Sequence, residues 1–452
     1  MNHLLPLIPA IACTLLLHPL TADVSLPKII GSHMVLQRDV PLQIWGWAEA
    51  GEEVTVELGV NKATAKADEA GNWKVTLPAI KADGKAHQLT VSGKNKIVLE
   101  DILIGEVWLG SGQSNMQWGL NNTYGGKESA AAADLPKVRL FYVPRVKANA
   151  PAKDVKATWK VCKPGPAGGF SAVLFHFGHR LHKDLDIPVG LIHSSWGGSL
   201  IEPWMPKSKG GTAGMYNAMI APIHPFPLRG MIWYQGESNV LYKKDGMKYF
   251  DKKKALIESW REAWGLGFSF YFVQIAPWQG RYAAGELPAL WEAQAATMKL
   301  PKTGMSVITD LVDNIRDIHP RKKEPVGNRL ASWALAKDYG REDVIYSGPH
   351  YKSLKVEGTK AIVTFSHTGG GLKSRDEKPL TEFEIAGEDA KFVAADATID
   401  GDTVVVQSKE VAAPTQVRFG WRNVANPNLM NGKGLPASPF RTKDWKGWTE
   451  VD

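Results

Sequence analysis

The segment GSGQSNMQW places Ser114 among glycines and amides directly after the apolar run ILIGEVWL. Serine at a strand end is usually a turn residue. A serine nucleophile needs more: a base, an acid that orients it, and donors for an oxyanion. His319, in IRDIHPRKKEP just past the run GMSVITDL, is the preferred base, and His193, at the end of PVGLIHSS, competes with it. Pro320 biases His319 towards extended backbone. Residues two apart on an extended segment share a side, which makes Asp317 the expected acid. Gly110 and Gly112 permit a sharp turn, and a helical turn starting near Ser114 would aim its N–H groups at an oxyanion.

Two more polar, glycine-bearing loops follow apolar runs: SSWGGSLIEPW, residues 194–204, and WYQGESN, residues 233–239. Each alone reads as a turn or helix cap, and Glu237 as a helix-start carboxylate. Three such loops after successive strands are harder to ascribe to turns.

The elements that must position these loops lie in residues 101–342. Apolar strand candidates ILIGEVWL, PVGLIHSS, LRGMIWYQ, FSFYFVQIA and GMSVITDL alternate there with helical patterns at SAVLFHFGHRLHKDL, FDKKKALIESWREAW and LPALWEAQAATMKL. That rhythm predicts an α/β domain with a parallel sheet covered on both faces, whose ligands sit at the carboxyl ends of the strands. Residues 23–100 show period-2 runs such as PLQIWGWA, EVTVEL and HQLTVSG and predict a β-sandwich. Residues 343–452, with KAIVTFSH and DTVVVQS, predict a second β-domain.

Residues 1–22 form an apolar segment ending in small residues, and Pro6, Pro9 and Pro19 disfavour a buried helix. A secretory signal cleaved after Ala22 is expected, hence a secreted or periplasmic protein, although the segment lacks the usual Lys or Arg. Cys162 would then be the one cysteine left, which excludes an internal disulfide and a Cys-rich zinc site. No other stretch has the apolar length of a membrane span. The net charge of +8 comes from cations dispersed along the chain, with no basic run. It leans towards acidic glycans rather than nucleic acid.

GQSNM, SSWGGSLIEPW, MYNAMIAPIHPFPLRGMIWYQGESN and DIHPRKKEPVGNRLA, spread over residues 103–340, resemble the sialate O-acetylesterase group of carbohydrate esterases within the SGNH/GDSL hydrolases. The resemblance implies a flavodoxin-like sheet, Ser114 as nucleophile and His319 as base. It also implies an oxyanion hole from Ser114, Gly197, Gly198 and an amide of Gln235 or Asn239, with Gln113, Asn115 and Glu237 in support. One departure stands out: the general pattern puts the acid three residues before the histidine, where this chain has Arg316. Asp317 stands two before, Asp313 is the fallback, and a Ser–His dyad is the third arrangement.

The expected activity is removal of O-acetyl groups from a sugar through an acetyl-enzyme, with no metal or cofactor. Acetylated sialic acid and acetylated xylan are both open as substrates, with Arg316 and Arg321 as the cations nearest in sequence to pair with a sialate carboxylate. A non-catalytic glycan-binding protein is the alternative from another class. The 17 Trp suit sugar stacking, yet Trp108, Trp233 and Trp260 fall in strand or helix patterns that predict core packing.

Overall fold

The computed structural model describes residues 23–449; the expected signal segment, residues 1–22, lies outside them. Its centre is a sheet whose strands are β1 (Lys96–Gly112), β2 (Leu135–Tyr142), β3 (Val189–Ser195), β4 (Gly230–Tyr234), β5 (Ser269–Val273) and β6 (Thr303–Ser306). Their spatial order is β6-β5-β4-β1-β3-β2, all neighbours parallel. Without β2, the remaining five follow the flavodoxin-like order. β3, β4 and β5 are buried at every position, as in a sheet covered on both faces, and therefore read as unbroken apolar runs rather than alternating ones.

Helices cover the sheet where the 3.6-residue pattern placed them: α2 (Ala172–Leu185), α4 (Lys248–Trp264) and α5 (Glu286–Thr297). Ser171 caps α2 by accepting the Leu174 N–H. α6 (Lys323–Lys337) packs against α2. Gly327 permits the close approach, since a Cβ there would lie 2.6 Å from the Val173 carbonyl oxygen. Two short helices, α1 (Ser114–Gln117) and α3 (Glu237–Lys243), begin directly after β1 and β4. Trp108, Trp233 and Trp260 are fully buried core residues.

The N-terminal strands, including Leu42–Trp47, Glu53–Leu58, Asn72–Leu77 and His87–Ser92, coincide with the alternating runs. β1 itself belongs to both parts of the molecule. Its first half pairs with His87–Ser92 and its second half with β3 and β4, so one continuous strand crosses position 100. The N-terminal apolar residues join the same core as the central sheet, whereas residues 361–440 enclose a second core between antiparallel sheets. That C-terminal part is fastened back to α5, where buried Glu292 accepts from Arg441 at 3.0 Å.

Candidate active site

The loops after β1, β3 and β4 meet at the carboxyl edge of the sheet. β1 and β4 are neighbours in it while the chain leaves them in different directions, which is the switch point where open α/β sheets bind ligands. Gly112 makes the exit from β1 possible. It has φ +137, and a Cβ there would lie 2.2 Å from the Tyr234 carbonyl oxygen. Ser114 then opens α1, so its N–H faces outward with no acceptor within the helix.

The Ser114 hydroxyl lies 2.9 Å from His319 Nε2. Trp118, at the end of α1, stacks on the His319 ring with centroids 5.0 Å apart and planes 17° apart. His319 is therefore held on one side by the serine and over its face by an indole. Asp317, the expected acid, lies beside it. Its Oδ1 accepts the His319 backbone N–H at 2.9 Å and lies 3.4 Å from Nδ1. The segment is bent, not extended as expected, because the Asp side chain captures the amide two residues on and folds a local turn. Asp313 is spent on the Arg321 N–H at 3.1 Å. His193 is fully buried and bonded to Ser195 Oγ at 2.6 Å, with burial pushing its pKa down to about 3.

On this geometry Asp317→Asn lowers kcat by about 10- to 100-fold, while Asp313→Asn stays near wild type. Steady-state kinetics of the two variants checks the order; equal small losses would leave a Ser–His dyad.

Gly197 and Gly198 form the turn after β3, closed by Ser199 N–H to the Trp196 carbonyl at 3.3 Å with Gly198 at φ +72. Gly197 sits against Ser114: a Cβ on it would lie 3.4 Å from Ser114 Cβ and 3.2 Å from Gln117 Oε1. Its N–H donates to that Gln117 oxygen at 2.6 Å. Gln117, absent from the residues singled out by motif, thus stands beside Ser114; its place one helical turn after Gln113 in GQSNMQ was the available signal.

The two side-chain amides expected at the oxyanion are engaged in other bonds. Gln235 Nε2 donates to Asn239 Oδ1 at 2.6 Å and to the Ser199 carbonyl at 3.2 Å, and Gln235 Oε1 accepts from Tyr249. Asn239 accepts the Ile201 N–H at 3.0 Å and donates to Asp245 at 2.7 Å. Both side chains are fully buried, and they brace the Gly197 loop from behind.

The supporting residues knit the loops together. Gln113 Oε1 accepts the Ser238 N–H at 3.3 Å. Asn115 donates to Glu237 Oε1 at 2.5 Å and to the Ile318 carbonyl at 3.1 Å, tethering the histidine loop to α3. Its own oxygen receives the ammonium of Lys323, a fully buried residue the sequence reading passed over among surface cations. Lys323 Nζ also lies over the Tyr234 and Trp118 rings, 5.0 and 5.9 Å from their centroids. Burial pushes its pKa down to about 7 although Glu237 opposes the shift; burial raises that of Glu237.

Burial and then Lys323 lower the His319 pKa, while Asp317 opposes them. A histidine acting as base works when neutral, so in that role a depressed pKa extends activity to lower pH. The acid limb of kcat/KM falls below the ordinary histidine value of about 6.5. Lys323→Met moves that limb to higher pH, and a pH–rate profile of the variant reads the shift; an unmoved limb would show that Lys323 does not act on His319.

A hydroxyl, an imidazole and a carboxylate stand in series at the sheet edge, an arrangement that can do the chemistry of a serine hydrolase. Residues 104–336 match the family model for carbohydrate esterase, sialic acid-specific acetylesterase, and the chain belongs to that family. It is 31% identical to the human sialate O-acetylesterase over 91% of each chain, and 29% identical to the mouse enzyme of that name over 91% of this chain and 93% of the other. Its fold superposes on a carbohydrate acetylesterase from Xanthomonas citri with TM-score 0.89 and 39% identity, covering 93% of this chain and all of that one. The protein is a carboxylic ester hydrolase of the carbohydrate esterase kind.

Proposed function

We propose that the protein is an exported enzyme that removes O-acetyl groups from sialic acid through an acetyl-enzyme on Ser114. The observation that carries the mechanism is the 2.9 Å contact of the Ser114 hydroxyl with His319 Nε2 at the switch point. His319 takes the hydroxyl proton as Ser114 attacks the acetyl carbonyl. The Ser114 N–H, without an acceptor in α1, and the Gly197 N–H beside the Ser114 side chain are the donors this reading assigns to the developing oxyanion. His319 protonates the departing sugar oxygen and then activates the water that releases acetate. Donation by Gly197 requires Gln117 to yield its present bond.

Sialic acid as the sugar is supported by the family description and by the activity named for the mammalian relatives. Export is supported by the apolar, small-residue-terminated segment before Asp23. Acetate release from O-acetylated sialic acid and from acetylated xylan, across a salt series, tests the substrate. Faster release from the sialic acid, weakening as salt rises, is expected. Faster, salt-independent release from xylan would make this a neutral-polysaccharide esterase.

A further inference from the structure

The cations that looked dispersed in sequence converge in space. A cavity of about 760 Å³ lies beside α1, and Lys28, Arg145, Lys156 and Lys160 all line it. Lys28 comes from the N-terminal part, Arg145 from the loop after β2, Lys156 from the segment before the strand that pairs with β2, and Lys160 from that strand itself. Among the described residues, no Asp or Glu lines the cavity. Asp154, next to it in sequence, spends its carboxylate on the N–H groups of Lys28 and Val155, 2.8 and 2.7 Å away. All four cations are exposed, and none has a salt-bridge partner among the described residues. Tyr142 adds a ring that is 40% exposed on the same wall, an apolar surface of the kind sugars stack on.

The cavity adjoins the reacting centre through Gln117. This residue lines the cavity and also holds the Gly197 N–H beside Ser114. A sugar whose acetyl group lies at Ser114 therefore has the cavity next to it on the Gln117 side. Arg316 and Arg321, the cations sequence proximity favoured, belong to the histidine loop instead, and Arg321 stacks on Tyr124 at 4.8 Å.

The count of charges constrains the occupant. A single sialate brings one carboxylate and can pair closely with only part of a set of four exposed cations spread over the cavity wall, whereas a chain with several carboxylates can engage more of them. The volume lies towards the top of the roughly 300–1,000 Å³ range of ligand pockets, room for more than one sugar. We propose that this cavity is a subsite for an acidic oligosaccharide, a chain with two or more carboxylates that lie against Lys28, Arg145, Lys156 and Lys160 while one of its acetyl esters reaches Ser114. The inference rests on the esterase reading above and extends it from the acetylated sugar to the chain that bears it.

The test is the double variant Lys156→Ala/Lys160→Ala, with Lys156→Glu/Lys160→Glu as its charge-reversed counterpart. Both sites are exposed, and both variants should fold as wild type. The probes are an O-acetylated sialic acid oligomer, the O-acetylated monomer, and p-nitrophenyl acetate, which carries no carboxylate. For the oligomer, KM rises roughly tenfold in the alanine variant and further on reversal, with kcat nearly unchanged, because charges away from the reacting atoms act on binding. The wild-type KM for the oligomer should lie below that for the monomer at low salt, the difference closing as salt rises. Hydrolysis of p-nitrophenyl acetate stays at the wild-type rate in both variants. An unchanged oligomer KM, or equal wild-type KM values for oligomer and monomer, would overturn the subsite while leaving the esterase reading intact. Absence of turnover of every probe by the wild-type protein would instead overturn the esterase reading.

Discussion

Ser114→Ala reduces kcat for ester hydrolysis by about a thousandfold or more while the protein keeps its fold. The loss is large because, in the proposed mechanism, the hydroxyl forms the bond to the acyl carbon, and none of the serines beside it is placed to replace it. Ser195 and Ser199 are both buried, and Ser195 is already bonded to His193. What survives is the background that oxyanion donors and binding supply without a nucleophile. The fold survives because the substitution removes one oxygen whose observed partner is His319 and keeps the Cβ that packs on Gly197. A single hydrogen bond contributes about 1 kcal/mol to stability, so thermal unfolding should move by only a few degrees. Wild-type turnover in a purified, folded variant would remove Ser114 from the mechanism.

His319→Ala should cost a similar factor, again about a thousandfold or more in kcat. The imidazole is the proton acceptor within reach of the serine, and Asp317 and Trp118 exist around it as supports. Because His319 works through Ser114, the two losses do not add. The double variant Ser114→Ala/His319→Ala is expected to be no slower than Ser114→Ala alone, within experimental scatter. Additive losses would mean that His319 serves a reaction that bypasses the serine. Removing the base should also erase the acid limb that His319 gives kcat/KM, so residual activity rises with hydroxide instead of levelling near neutrality.

The parts of this site readable in sequence were those governed by local rules. Buried parallel strands betray themselves as apolar runs, so β1, β3, β4, β5 and β6 and the loops after them were legible. That Ser114 and His319 come together followed from the topology that puts strand ends on one edge, whereas Asp317 was expected from an extended segment and stands beside His319 through a bend instead. β2, in LPKVRLFY, and the strand Trp159–Cys162 were passed over, being an addition outside the five-stranded pattern. The continuous course of β1 through position 100 was also hidden, because its first half alternates like a sandwich strand and its second half does not.

Side-chain direction and long-range convergence left no local trace. Gln235 and Asn239 carry the right amides in the right loop, yet the packing of α3 and Tyr249 turns them inward. Lys323 reads as one cation among Arg321 and Lys322 until α6 buries it against Asn115. Lys28 and Lys160 are far apart in the chain, and only the tertiary fold sets them around one cavity.

The central claim is that Ser114 is the covalent nucleophile, and stoichiometric labelling tests it most directly. The protein is incubated with a p-nitrophenyl alkylphosphonate, which phosphonylates a serine activated by a neighbouring imidazole and releases nitrophenol in the same step. Peptide mass spectrometry should then find one adduct per chain, on the peptide that contains Ser114, with esterase activity lost in proportion and no label on the Ser114→Ala variant. Inactivation accompanied by a label on Ser195, Ser199 or any residue other than Ser114 would contradict the account.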